Sequence, residues 1–171
     1  CLQGSGLNQI VIFLNEDMPT RCDGEIKELA DRASNGFFSS KSLSVAELQS
    51  LWSGYGRVME VNQNGTACVI VKVIDSPDVQ GSSNSVGHVR KIKSYEVETN
   101  FYKSIAKQFN AQGCRVPHPL LSEYERQSPG KCSATIVMED LRERFPVRGG
   151  LTLLQAKAAA SWLARMHAIS W

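Results

Sequence analysis

The chain has 171 residues, 42% of them hydrophobic, 21% charged and 8% aromatic. This is the profile of a globular protein long enough for one domain with its own core, and it excludes a disordered or fibrous chain. Nineteen basic against 17 acidic residues leave a formal charge of +2 with no basic block, so no footprint for nucleic acid or anionic membrane is visible and a small molecule is the expected partner. The five cysteines (Cys1, Cys22, Cys68, Cys114, Cys132) are odd in number and share no ligand-like spacing with the three histidines. They read as reduced thiols of a cytoplasmic protein, with no metal site among them.

In chain order, the run "IVIFL" at residues 10–14 is too short to span a bilayer and lacks the pattern of a secretory signal, so neither membrane insertion nor export is expected. Met18 is a possible native start. "DGEIKELADRA" at residues 23–33 predicts a short helix with an acidic first turn and Asp23 as its cap. From Ser44 the character changes. Asn64-Gly65 separates two β-prone runs, residues 57–63 and 66–74, and predicts a tight hairpin; Gly54-Tyr55-Gly56 marks an earlier turn and hence a three-stranded antiparallel beginning. "SPDVQGSSNSVG" at residues 76–87 reads as a mobile loop. A helix follows over residues 88–112, stopped at Gly113, with Pro117 and Pro119 beyond it. Two more strands are predicted at residues 120–124 and 134–138, separated by the turn-forming "RQSPGKC". After the polar connection "RERFPVRGG", an alanine-rich helix begins near Thr152, its candidate cap.

The strand "TACVIVKVID" poses a specific problem. Its period of two puts Cys68, Ile70, Lys72 and Ile74 on one face and Ala67, Val69, Val71 and Val73 on the other. If the first face is buried, the Lys72 ammonium requires a partner. On the helix, Ile92, Tyr95, Glu98, Tyr102, Ile105 and Phe109 recur at steps of three or four, which sets Glu98 inside an apolar stripe, while Glu96 falls on a polar face with Lys93, Asn100, Lys103 and Lys107. Each of Lys72 and Glu98 is costly alone, and pairing them is the economical solution. A strand lysine paired with a helix glutamate also holds nucleotide phosphates in kinase folds.

"KIKSYEVETNFY" (residues 91–102), "IVMEDL" (residues 136–141) and "WLARMHA" (residues 162–168) resemble the choline-kinase-like and ecdysteroid-kinase-like small-molecule phosphotransferases, relatives of the aminoglycoside phosphotransferases. The resemblance runs from about Leu48 to Trp171. It implies an α+β, protein-kinase-like N-terminal lobe, a five-stranded antiparallel sheet plus one helix, followed by the hinge and first helix of a C-terminal lobe. The implied division is an N-terminal extension at residues 1–43, a lobe and hinge at 44–141, and the start of an incomplete lobe at 142–171. Carried over, it makes Lys72 the phosphate-binding lysine, Glu98 its partner, Met138 the residue at the back of the adenine pocket, and Glu139 to Leu141 the hinge whose backbone meets adenine. Gly54 and Gly56 match the nucleotide loop, although an ordinary turn explains them equally well. His167 reads as a packed helix-end histidine, and His118 as loop.

The resemblance implies ATP and Mg2+ as cofactors and a small alcohol or amino sugar as substrate. The family's His-Gly-Asp catalytic loop and metal-binding aspartate have no counterpart here, so the expectation is an N-terminal fragment, inactive alone, whose missing C-terminal lobe supplies them. The alternative is a non-catalytic nucleotide-binding or interaction module, a truncated remnant. Apolar residues of the last helix, Trp162 and Leu163 among them, are expected to remain uncovered.

Overall fold

The computed structural model describes residues 21–38, 40–51, 54–77, 85–142, 144–145 and 149–170. Met18 and the run at residues 10–14 lie outside them, as does most of the loop expected at 76–87 and part of the connection at 142–150. The fold is α+β. Helix α1 (Asp23–Ala33) and a short 3-10 turn (Ser40–Ser42) lead into β1 (Leu43–Ser50), β2 (Gly56–Gln63) and β3 (Thr66–Asp75). Helix α2 (Val86–Asn100), a π-helical turn (Phe101–Ile105) and α3 (Ala106–Ala111) precede β4 (Pro119–Ser128), β5 (Lys131–Glu139) and α4 (Leu153–Ser170). The strands form one antiparallel sheet in the order β1-β2-β3-β5-β4.

Local chemistry accounts for most element ends. Asn64 and Gly65 both take positive φ (52° and 82°), which a two-residue hairpin turn of matching twist requires. The β4–β5 turn is tighter than its sequence suggests: Ser128 still pairs with Lys131, so only Pro129 and Gly130 turn. Ser85 caps α2, its hydroxyl accepting the His88 N–H at 3.2 Å, and the helix starts two residues before the expected point. At α1 the cap position belongs to Cys22 rather than Asp23, because Glu25 reaches back to the Cys22 N–H at 2.8 Å. Thr152 caps α4 as expected, exchanging bonds with Gln155. Gly113 at φ 75° closes α3, with the Cys114 N–H on the Phe109 carbonyl and the Gly113 N–H on the Asn110 carbonyl.

Both faces of the sheet are covered, where a single helix was expected. Val69, Val71 and Val73 of β3 join Met59, Val61 and Val137 against Ile26, Leu29 and Ala30 of α1. The stretch at residues 23–33 therefore belongs to the same core as the sheet. On the other face Ile74, Cys132 and Ala134 meet Tyr55 and Ile92, with Tyr95 and Tyr124 beside them. A third cluster of Ala106, Phe109, Cys114 and Val116 docks α4 through Met166 and Ile169.

The π-helical turn changes the stripe read from the sequence. An extra residue in one turn rotates everything after it by about 100°. Ile105, expected inside, is 42% exposed, while its neighbour Ala106 is fully buried. Thr99 is also buried, its hydroxyl returned to the Tyr95 carbonyl at 2.7 Å. Among the described residues no helix is long and apolar enough to cross a membrane.

Gly56 has a different constraint from the turn glycines. It runs at φ 149°, and a Cβ there would stand 2.0 Å from the Val73 carbonyl oxygen, whereas one on Gly65 would meet nothing within 4 Å. Gly65→Ala is expected to cost about 1 kcal/mol from its φ alone, and Gly56→Ala about 3 kcal/mol because backbone must move. Urea unfolding midpoints of the two variants check the order, and equal losses would refute it.

Candidate functional site

Lys72 stands in the middle of the face that α2 covers. Its cross-strand neighbours are Val58 on β2 and Ile136 on β5, and no side chain of the sheet directly opposite it carries a charge. The partner comes from α2: Nζ lies 2.7 Å from both Glu98 oxygens, 5.8 Å from the centre of the Tyr95 ring, and the two side chains are only 16% and 31% exposed. The expected pairing is thus present. Tyr95 and Tyr102 flank it, their phenols raised first by burial and then by the Glu98 charge, so both stay neutral around the pair. An open groove of about 600 Å³ runs along the outside of α2, lined by Arg90, Val97 and Phe101 and reaching Glu98. It borders the pair from the helix side only.

Beyond Lys72 towards the β1–β2 turn, Ile74 pairs with Gly56. Gly54 has φ 71°, but Gly56 spends its missing Cβ on the approach of the β3 backbone, and Tyr55 turns inward. The Tyr55 hydroxyl meets His88 Nδ1 at 2.5 Å, and His88 Nε2 meets the Gly130 carbonyl at 2.6 Å. A carbonyl only accepts, so Nε2 carries the proton and, in the neutral ring, Nδ1 accepts from Tyr55. One buried histidine thereby ties the glycine turn, the start of α2 and the β4–β5 turn. The sequence signals none of this beyond the position of His88 in a first helical turn.

In the other direction Ile70 pairs with Met138 and Val69 with Glu139. Met138 is buried. The Glu139 carboxylate binds Arg115 at 2.5 Å and lies 3.6 Å from Arg144, and the Glu139 N–H donates to the His118 carbonyl at 2.9 Å. The half-buried Leu141 offers its carbonyl to the Phe145 N–H at 2.9 Å, so that group is already engaged. Asp140 accepts from the Arg142 N–H at 2.9 Å and from its Nε at 3.0 Å, and Arg142 Nη2 bonds both the Asp140 carboxylate, at 2.5 Å, and Glu60 of β2. Asn62 also donates to Glu60 at 2.8 Å. The Asn62 bond and then Arg142 hold the Glu60 carboxyl below its ordinary range. Neither Glu60 nor Arg142 stands out in the sequence, because they lie 82 residues apart.

Other expectations fare unevenly. Glu96 is not simply solvated: it bonds both Lys93 and Arg126 of β4, at 3.2 and 3.3 Å. His167 is exposed rather than packed, since α4 touches the rest of the chain through the Met166 and Ile169 side and His167 lies off it. Cys22, Cys114 and Cys132 are free thiols; the Cys1 and Cys68 side chains lie outside the described residues. Among the described residues no three histidine, cysteine or acidic side chains converge into a metal site.

Two predictions follow from the charges. Lys72→Met leaves the half-buried Glu98 unpaired and is expected to cost about 3 kcal/mol, of which Lys72→Met/Glu98→Leu recovers at least half; denaturant titration of the cycle measures the coupling, and additive losses would exclude it. Glu60 has its folded pKa lowered, so its contribution is present above the unfolded carboxylate pKa and lost as pH falls through the folded one. Glu60→Gln should therefore lower the melting temperature at pH 7, and the deficit should shrink as pH falls below the ordinary carboxylate range. A deficit that does not shrink at all on acidification would assign the effect to packing.

The chain matches no protein-family model and no curated protein.

Proposed function

We propose that the chain carries the nucleotide-binding lobe of an ATP-dependent phosphotransferase of small hydroxylated metabolites, of the choline-kinase-like kind that its motifs resemble. The observation that carries the reading is the Lys72–Glu98 pair at the centre of one sheet face. Structure alone does not require a cation there, because an apolar side chain at position 72 would bury as well without the desolvation cost. A carboxylate that fixes a lysine amine while leaving it partly accessible is a device for presenting that amine to an anion.

The strand register adds a length scale. Ile74 and Ile70 each lie two residues from Lys72, about 6.6 Å at strand rise, one beside the glycine turn and the other beside Met138. A ligand lying along β3 with its anionic part at Lys72 and a planar apolar part at Ile70 and Met138 has the dimensions of a nucleotide. Lys72 would hold its phosphates, and the backbone at Glu139 to Leu141 would meet the base. The described residues offer no cluster of carboxylates for magnesium, so no metal-held step is assigned to them.

A second reading, an interaction module without catalysis, draws on α4. Leu153 and Leu154 are 74% and 77% exposed, and Leu163 and Trp162 are partly so, which is the uncovered apolar surface expected of this helix.

The test is ATP consumption with magnesium against a panel of small alcohols and amino sugars, for the 171-residue chain and for the longer product where the reading frame continues. Turnover is expected in the longer product and lost, by at least a hundredfold, on Lys72→Met; none is expected for the 171 residues. A longer product that neither binds nor consumes ATP would favour the interaction module, and turnover by the 171 residues would overthrow the fragment reading.

A further inference from the structure

Directly after β5 the chain makes a turn that is bonded to itself and to a strand two places away. Asp140 accepts both the backbone N–H and the Nε of Arg142, so the turn and the side chain fix each other. The guanidinium Nη2, which also bonds Asp140 at 2.5 Å, reaches Glu60, which Asn62 also holds. Because strands lie about 4.8 Å apart, this link spans roughly 10 Å, from β5 past β3 to β2.

The path of the link follows from the register. Glu60 pairs with Ile70, and Met59 and Val61 on either side of it point to the α1 core, so Glu60 shares the face of Ile70 and Lys72. Strand β3 runs on past Val69, the partner of Glu139, to Thr66, which is still paired with Gln63 of β2. The segment after β5 therefore reaches Glu60 across the Lys72 face and not around the end of the sheet. It starts at Asp140, two residues beyond Met138, and ends on Glu60, so it borders the row Glu60–Ile70–Met138 where the proposed nucleotide would put its base.

We propose that Arg142 is a positioning residue that, by clasping Glu60, holds the backbone of residues 139–141 at a set distance from β2 and β3 so that it recognises the base of a nucleotide. This rests on the nucleotide reading above. Backbone recognition demands such a strut: hydrogen bonds at about 2.9 Å weaken steeply with misalignment, and a drift of 1 Å forfeits them. A planar guanidinium whose Nε and Nη2 bond Asp140 of the turn while Nη2 also bonds Glu60 of the sheet fixes both distance and orientation, which a lysine, offering one point of charge, does only in part. The Arg142 guanidinium is held firmly in its charged form by Asp140 first and then Glu60, and the Asp140 side chain is only 7% exposed.

The experiment is a saturation-transfer NMR titration of the 171-residue chain with ATP and, separately, GTP, for the wild type, Arg142→Met, Arg142→Lys and Glu60→Gln, with melting temperatures measured in parallel. The wild type is expected to prefer ATP. Arg142→Met is expected to weaken ATP about tenfold, to change GTP less than twofold and so to abolish the preference, with Arg142→Lys intermediate. Glu60→Gln should follow Arg142→Met and carries the test if that variant does not fold. Equal weakening of both nucleotides, no change in either, or a wild type without preference would overturn the strut while leaving nucleotide binding standing. No binding of either nucleotide by the wild type would overturn the nucleotide reading and the strut with it.

Discussion

The structure turns on one requirement, that the ammonium of Lys72 be paired on a strand face it shares with Ile70 and Ile74, between Val58 and Ile136. Glu98 meets it from a helix, 26 residues further on, with both oxygens at 2.7 Å. That fixes the rotation of α2 about its own axis as well as its place on the sheet. The same helical run must then bury Phe109 beside Cys114 and Val116. A regular helix carries Ile105 on the stripe with Glu98, but the third cluster needs Ala106 there. The π-helical turn at Phe101–Ile105 reconciles the two demands, since one added residue shifts the buried line from 105 to 106. Its cost is a poorer hydrogen-bond geometry over one turn, which the two packed clusters on either side offset.

The second face of the sheet explains why β3 reads as a nearly continuous apolar run. With α1 over Val69, Val71 and Val73 and α2 over Ile74, the strand is covered on both sides, as a central strand between two layers must be. β5 is alike, buried from Cys132 to Met138, yet it carries Ser133 and Thr135 on the α1 side. Thr135 is satisfied by Arg21 at 2.7 Å, and the Arg57 guanidinium in turn donates to the Arg21 carbonyl. Polar groups inside this core are thus tied to the segment that leads into α1, which makes that helix an integral layer.

What the sequence discloses is what local rules govern. Asn64-Gly65, Gly113, Thr152 and the alternation in β3 each act over a few residues, and each appears where its chemistry requires. The Lys72–Glu98 pair was legible despite its span because each member violates the pattern of its own element, and two such violations point at each other. Glu60 and Arg142 violate nothing: a charged residue on a half-exposed strand and another after a strand end are unremarkable alone. His88 opens a helix, where a histidine is equally unexceptional, and its two ring bonds reach 33 residues back and 42 forward. The π-helical turn is invisible for a further reason: it is set by what the helix packs against. The place of α1 was missed because a short amphipathic helix carries no mark of which surface it will cover.

The distribution of charge along the Lys72 face bears on how a ligand there would be read. At the end of β5 the carboxylates of Glu139 and Asp140 are both engaged, by Arg115 and Arg144 in one case and by Arg142 in the other. Acidic side chains in that segment therefore serve the protein's own arginines, and what remains for a ligand is backbone and apolar surface, Met138 and Ile70 foremost. Two residues along β3 the side chain is instead the Lys72 ammonium, partly exposed and balanced by Glu98. In the proposed reading one end would take a neutral planar group and the other a phosphate. The polarity of the site thus follows from the strand register, because Lys72 and Ile70 share a face only while β3 stays regular between its bulge near Asn62 and its pairing with β5. A slip of one residue would send Lys72 into the valine core beneath α1 and away from Glu98, and the register is therefore guarded by that charge.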